Sequence, residues 1–184
     1  MIFKKQNIAG VFIIDPEPFS DNRGQLRRHF CQREFKNAGI MDEVKQCNVS
    51  ENLKKFTLRG FHYQLPPYDE DKIISCMNGS IFDVVIDLRK ESKTYLHWES
   101  FTLSKENKLG LFVPKGCTNA YITLEDNTWI FYYHSEFYTP GAEGGICYND
   151  PFFKINWPFE PEVISERDLN HPPFDPNVFQ NMQI

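Results

Sequence analysis

The sequence predicts an all-β protein, a sandwich or barrel of many short strands. Three observations carry this expectation. Apolar and polar residues alternate in short runs, most clearly around Ile81-Phe82-Asp83-Val84-Val85-Ile86-Asp87-Leu88. Such a period of two is the pattern of a strand with one face buried. Turn formers interrupt the runs at short intervals, as in Asp21-Asn22-Arg23-Gly24, Pro114-Lys115-Gly116, Glu125-Asp126-Asn127 and Thr139-Pro140-Gly141. Helical periodicity is nearly absent, so there are no crossover helices for βαβ units.

Taken in order, strands are expected at Val11–Ile14, Gln25–Cys31, Val44–Glu51, Thr57–Gln64 and Asp71–Met77. The Asn78-Gly79 pair then signals a hairpin turn, followed by the strand over residues 81–88. Further strands are expected at His97–Leu103, Gly110–Val113, Ala120–Leu124, Trp129–Glu136 and Gly144–Cys147. Helix is expected only at Gln32–Ala38, stopped by Gly39, and in a short piece at Ser104–Asn107. From about Asp150 the chain is rich in Pro and Phe with weak alternation. It reads as an irregular, partly helical tail wrapped around the sandwich.

The 184 residues are expected to form one domain, 1–184, with a sizeable core. Twenty Lys and Arg against 25 Asp and Glu leave a net charge of −5. That balance argues against nucleic-acid or membrane-surface binding, which rests on excess positive charge. No apolar run approaches the roughly 18–20 residues that span a bilayer. Met1-Ile2-Phe3-Lys4-Lys5-Gln6 lacks the apolar core of a secretory signal. Cys31, Cys47, Cys76, Cys117 and Cys147 are odd in number and widely spaced. They read as reduced thiols in a cytoplasmic protein.

The most informative stretch is Leu58-Arg59-Gly60-Phe61-His62-Tyr63-Gln64. It sets one histidine in a strand between a cation and an amide, with Lys72 just downstream and a tyrosine-rich strand later. This set suits proton transfer beside a carbonyl on an anionic substrate. Bland readings stand beside it: His62 as a packed or surface histidine, Tyr132 as a core aromatic, and Lys72 as an exposed partner of Asp69-Glu70-Asp71.

The order of motifs resembles the dTDP-4-dehydrorhamnose 3,5-epimerase family. The motifs are Phe19-Ser20-Asp21-Asn22-Arg23-Gly24, Gln46-Cys47-Asn48-Val49-Ser50, Arg59 to Gln64, Asp83 to Arg89, Val113-Pro114-Lys115-Gly116, Tyr132 to Tyr138, Asn149-Asp150-Pro151 and Ser165-Glu166-Arg167-Asp168. The resemblance implies a double-stranded β-helix, the cupin-type jelly roll, with short peripheral helices. It also implies epimerisation of a nucleotide-linked 4-keto sugar at carbon-3, carbon-5 or both, in deoxysugar or surface-polysaccharide synthesis. Removing a proton beside the ketone needs a base, an opposing acid, and a cation or donor at the growing enolate. By resemblance these are His62 with Asp168 behind it, Tyr132, and Lys72. Arg23, Gln46, Asn48, Arg59 and Arg167 resemble residues that hold diphosphate and sugar; Phe19 and Tyr138 resemble partners of the base; Glu143 falls at a family site position. A homodimer exchanging N-terminal strands is implied, with Gln6–Ile14 supplying the strand.

No cofactor is expected. A metal is not expected either, because His62-Tyr63-Gln64 and Pro114 to Asn119 offer one imidazole where metal-binding cupins need several. His97 and His134 are read as surface or structural. Two positions depart from the family pattern. Asn119 stands where histidine is usual, which bears on whether one or two carbons are inverted, or whether the pocket only binds. Arg28 stands where a glutamate is usual, which favours acceptor edges of a base and points to CDP or GDP instead of dTDP. A keto-isomerase and a non-catalytic sugar-nucleotide-binding cupin are the alternatives. Cys47 and Val49 have no interpretation.

Overall fold

The structure is a computed structural model that describes residues 1–41 and 43–179. It is built from two antiparallel sheets. One contains β1 (Ile2–Lys5), β2 (Phe12–Asp15), β5 (Gln46–Asn52), β7 (Lys72–Asn78), β10 (Gly110–Val113) and β12 (Thr128–His134), in the order β1-β2-β10-β7-β12-β5. The other contains β6 (Leu58–Gln64), β8 (Ser80–Asp87), β9 (Trp98–Ser104), β11 (Cys117–Thr123) and β13 (Glu143–Gly145), in the order β13-β6-β11-β8-β9. A separate hairpin joins β3 (Phe19–Asp21) to β4 (Gly24–Leu26). Short helices α1 (Gln32–Asn37), α2 (Glu166–Leu169) and α3 (Pro176–Phe179) lie outside the sheets. Neighbouring strands that alternate between distant parts of the chain are the mark of a jelly roll, as the resemblance implied.

Burial explains the sequence pattern. Ile74, Val85, Leu103, Leu111, Tyr121 and Ile130 fill the space between the sheets, with Ile8 and Val11 closing one side. The outer face of the five-stranded sheet is also covered: Phe61, Val84, Ile86 and Ala120 pack under Phe153 and Phe174 of the tail. On the outer face of the six-stranded sheet Phe35 of α1 and Met41 cover Ile14, Ile73 and Phe112. Buried on both faces, β8 has no solvent side to mark with polar residues, which is why its alternation gives way to Val84-Val85-Ile86. Among the described residues no helix is long and apolar enough to cross a membrane.

Several boundaries differ from those read in the sequence. Asn78-Gly79 does not close a hairpin: β7 and β8 belong to different sheets, so Gly79, at φ +73°, turns the chain at a corner between them. The expected helix at Ser104–Asn107 is a turn. Asn107 Oδ1 accepts from the Ser104 N–H at 3.0 Å, and Ser104 Oγ accepts from the Asn107 N–H at 3.0 Å. Side chains that satisfy the backbone locally compete with helix in this way. The strand expected at Gln25–Cys31 stops at Leu26, and β1 and β3 were not anticipated. In the single chain Phe12–Asp15, which overlaps the segment expected to be exchanged, pairs with its own β10.

Candidate active site

A cavity of about 300 Å³ opens between the two sheets. Its walls come from β5, β7 and β12 on one side and from β6, β11 and β13 on the other. The key local feature is in β6. Strict alternation would turn Arg59 and His62, three residues apart, to opposite faces. The pairing with β11 slips between Asn119↔His62 and Tyr121↔Arg59, and this bulge lets both residues line the cavity. Gly60 makes it possible. At φ +117° its Cα lies so close to β11 that a Cβ would stand 2.6 Å from the Ala120 Cα.

His62 Nε2 hydrogen-bonds Asp168 Oδ1 at 2.7 Å. Nε2 donates here, because the acceptor is a carboxylate, and in the neutral ring this leaves the lone pair on Nδ1. Asp168 is held from three sides. Its backbone N–H donates to the N-cap Ser165 Oγ at 3.1 Å, its Oδ2 accepts from the Gly60 N–H at 3.2 Å, and its side chain is buried. Burial alone would raise its pKa. The hydrogen bond and charge of His62, with Gly60 and Ser165, outweigh that and hold the carboxyl below its ordinary value.

Tyr132 faces the cavity from the opposite sheet, stacked on His134 with ring centroids 5.7 Å apart. Burial, then the Tyr121 hydroxyl and the Asp83 carboxyl, push its pKa well above the usual phenol value, against a smaller pull from Arg59. The phenol therefore stays protonated. Lys72 Nζ donates to the His62 carbonyl at 3.1 Å and lies 3.6 Å from Glu70 Oε1. Glu70 in turn accepts from His134 Nδ1 at 2.7 Å. Burial raises the Glu70 pKa, but His134 and Lys72 bring it below the ordinary value, so a carboxylate sits between two bases.

Behind the cavity Asn119 Nδ2 donates to Asp83 Oδ2 at 3.0 Å. Asp83 is fully buried, and its Oδ1 has no hydrogen-bond partner among the described residues. Burial lifts its pKa well above the ordinary aspartate value, against the smaller pull of Asn119 and Lys72, which favours the protonated acid. At the rim Tyr138 Oη donates to Glu143 Oε1 at 2.9 Å, and Arg167 Nη2 approaches the same oxygen at 3.4 Å. Gln46 Oε1 accepts from the Tyr138 N–H at 3.1 Å, and Asn48 Nδ2 lies 3.3 Å from His134 Nε2.

Most expected residues thus meet at one place: His62, Lys72, Asn119, Tyr132, Asn48, Arg59, Tyr138, Glu143 and Arg167 line the cavity, with Asp168 and Gln46 supporting it. Phe19, Arg23 and Arg28 do not line it. Phe19 and Arg23 are exposed on the β3–β4 hairpin, and Arg23 is paired with its neighbour Asp21. Arg28 Nη1 donates to Glu34 Oε1 at 2.6 Å, and Glu34 also holds the amino terminus. His134, read as surface or structural, is a wall residue; its place in a tyrosine-rich strand two residues past Tyr132 was the available signal. Two further residues escaped the sequence reading: Asp83, hidden in an apolar strand, and His171. Among the described residues, His62, Asp168 and His171 bring three potential metal-ligand atoms within 4.8 Å of one another. The fold thus adds a second imidazole, His171, to the one that the two sequence motifs offer.

Comparison with known proteins puts this jelly roll in the epimerase class of isomerases. The family model described as dTDP-4-dehydrorhamnose 3,5-epimerase matches residues 5–176, and the chain belongs to that family. A dTDP-4-dehydrorhamnose 3,5-epimerase of Shigella flexneri is 38% identical over 167 residues, covering 90% of this chain and 92% of the relative. The crystal structure of the Bacillus anthracis enzyme, with TDP and pyrophosphate bound, superposes with a TM-score of 0.91 at 31% identity, covering 94% of this chain and 99% of that one. A 3'-monoepimerase from Streptomyces bikiniensis, in complex with dTDP-quinovose, gives 0.85 at 32% identity, covering 91% and 85%.

Proposed function

We propose that the chain epimerises a dTDP-linked 4-keto-6-deoxy sugar at carbon-3 and carbon-5, through an enolate. The observation that carries this reading is the His62–Asp168 hydrogen bond, which fixes a lone pair on Nδ1 facing a cavity whose opposite wall is Tyr132. His62 takes the proton beside the ketone, and Asp168 stabilises the imidazolium that forms. Charge then grows on the carbonyl oxygen, where Lys72 supplies a cation. Tyr132, kept neutral by burial, returns a proton from the other face. Arg59 and Arg167 suit the diphosphate, since a guanidinium fork donates to two phosphate oxygens at once. Glu143 positions Tyr138 and Arg167.

The nucleotide assignment is supported by the relatives, whose structures hold TDP or a dTDP-linked sugar. In the single chain Arg28 pairs with Glu34 and does not line the cavity, so a contact with the base would come, like those of Phe19 and Arg23, from a second copy. Phe19 and Arg23 reach a substrate only if a second copy brings its hairpin to this cavity, so the reading includes a homodimer that exchanges N-terminal segments. Five free cysteines suit a reducing cytoplasmic setting.

A second reading, inversion at one carbon only, is favoured by Asn119, which cannot titrate as the histidine usual in the family does. Solvent-deuterium incorporation into dTDP-, CDP- and GDP-linked 4-keto-6-deoxy sugars tests both. Label at two carbons of the dTDP sugar is expected; label at one selects the second reading. Tight binding without label means a non-catalytic cupin, and preference for CDP or GDP overturns the nucleotide assignment.

A further inference from the structure

His171 is a half-buried imidazole beside the catalytic pair proposed above. Its Nε2 is shielded from solvent without a hydrogen-bond partner among the described residues, and an orphan of this kind marks a place where something is missing or stored. The same atom lies 4.0 Å from Asp168 Oδ1, the oxygen that already accepts from His62 Nε2 at 2.7 Å. The place is shaped by sequence. Gly145 pairs with His62 across β13 and β6, and a Cβ at residue 145 would occupy the His171 ring. His171 also lines a second cavity of about 560 Å³, bordered by Tyr63, Glu143, Gly144, Gly145 and Arg167, three of which also line the first.

We propose that His62 Nε2, Asp168 Oδ1 and His171 Nε2 form a binding site for a borderline-soft divalent transition-metal cation such as Zn²⁺, and that its occupation switches the enzyme off. Two imidazoles and one carboxylate suit zinc and its neighbours, and do not suit the oxygen-seeking Mg²⁺ or Ca²⁺. A tetrahedral site with bonds of about 2.0–2.1 Å places its donors roughly 3.3 Å apart. Asp168 and His62 must therefore separate by about half an ångström, and His171 must close on both, from 4.0 Å on Asp168 and from no more than 4.8 Å on His62, by side-chain rotation. Water from the second cavity completes the coordination. The inhibition rests on the proposed role of His62 and follows from its two nitrogens. A cation on Nε2 displaces the proton held there, and the neutral ring carries its proton on Nδ1, with no net release. The nitrogen facing the sugar then has no lone pair, and the base is lost. His171 touches no reacting atom.

Metal binding is measured apart from turnover. Titration of the whole chain with Co²⁺, followed by visible absorption, is expected to give the intense bands of a tetrahedral nitrogen–oxygen site at one equivalent. Zn²⁺ should displace it, and His171→Ala should abolish the bands. In the deuterium-incorporation assay, the Zn²⁺ concentration that halves the rate should rise at least tenfold in His171→Ala, relative to its own metal-free rate, and EDTA should restore the wild type. If the alanine variant fails to fold, His171→Gln takes its place. Absence of the cobalt bands in the wild type, or bands and zinc sensitivity unchanged in the variant, overturns the site. Cobalt binding without deuterium incorporation by the metal-free wild type would sink the epimerase reading and leave the metal site standing.

Discussion

His62 and Tyr132 are assigned different halves of one reaction, so their variants should fail differently. His62→Ala should lower deuterium incorporation by about 10²–10⁴-fold, the range of a general base; more than a few per cent of residual activity would remove it as the base. Tyr132→Phe should still exchange the proton while losing inversion by a similar factor, visible as label in unchanged substrate. Asp83 makes a prediction about stability. Its folded pKa is raised by burial, so above the unfolded value of about 3.9 the folded state holds a proton that the unfolded state has released. Stability falls as pH rises from there until the folded pKa is passed. Asp83→Asn removes this cost. Its melting temperature should match the wild type near pH 3.5 or below, and exceed it increasingly toward neutrality, by about 2–4 °C for each kcal/mol recovered. An equal or lower Tm at pH 7 contradicts a buried neutral carboxyl.

At the scale of an element, the site depends on how β6 is bent. Arg59 and His62 share the cavity only because the β6–β11 register slips, and the slip needs a residue without a side chain at position 60. Gly60→Ala forces a Cβ against Ala120 at positive φ. It should cost about 2–4 kcal/mol in chemical denaturation, from strain and overpacking together. Because the Gly60 N–H also positions Asp168, whatever folded protein remains should be slow in deuterium incorporation. A fully active variant of wild-type stability would show that the bulge is dispensable. The strand itself was legible in the sequence; its bulge was not, since a register slip is a relation between two strands that no single window contains.

At the scale of the molecule, the cavity lacks the Phe19 and Arg23 that the family resemblance assigns to it. Both sit on a hairpin with exposed apolar side chains, Phe19 at 66% and Leu26 at 75% of full accessibility, and Val49 and Trp129 are exposed near the β5 edge of the six-stranded sheet. If hairpins are exchanged in a two-fold dimer, a site in one chain uses its own His62 and its partner's hairpin. Refolding inactive His62→Ala together with inactive Arg23→Glu should then restore about a quarter of wild-type activity, since half the dimers are mixed and each carries one intact site. No recovery on mixing, with both variants folded, excludes the exchange.

By itself the sequence determined that the chain is all-β, because alternation and turn chemistry are local and need no partner to be read. Its motifs determined the family, and with it His62, Tyr132, Lys72 and Asp168 as a set. Only the tertiary structure decided what those residues touch. The turn at Asn78-Gly79 looks like any hairpin turn until the two strands part to different sheets. His134 and His171 look like bystanders until β12 and the tail bring one beside Glu70 and the other beside Asp168. The physical reason is the same in each case: propensity is a property of neighbours along the chain, whereas hydrogen bonding, burial and protonation state are set by neighbours in space.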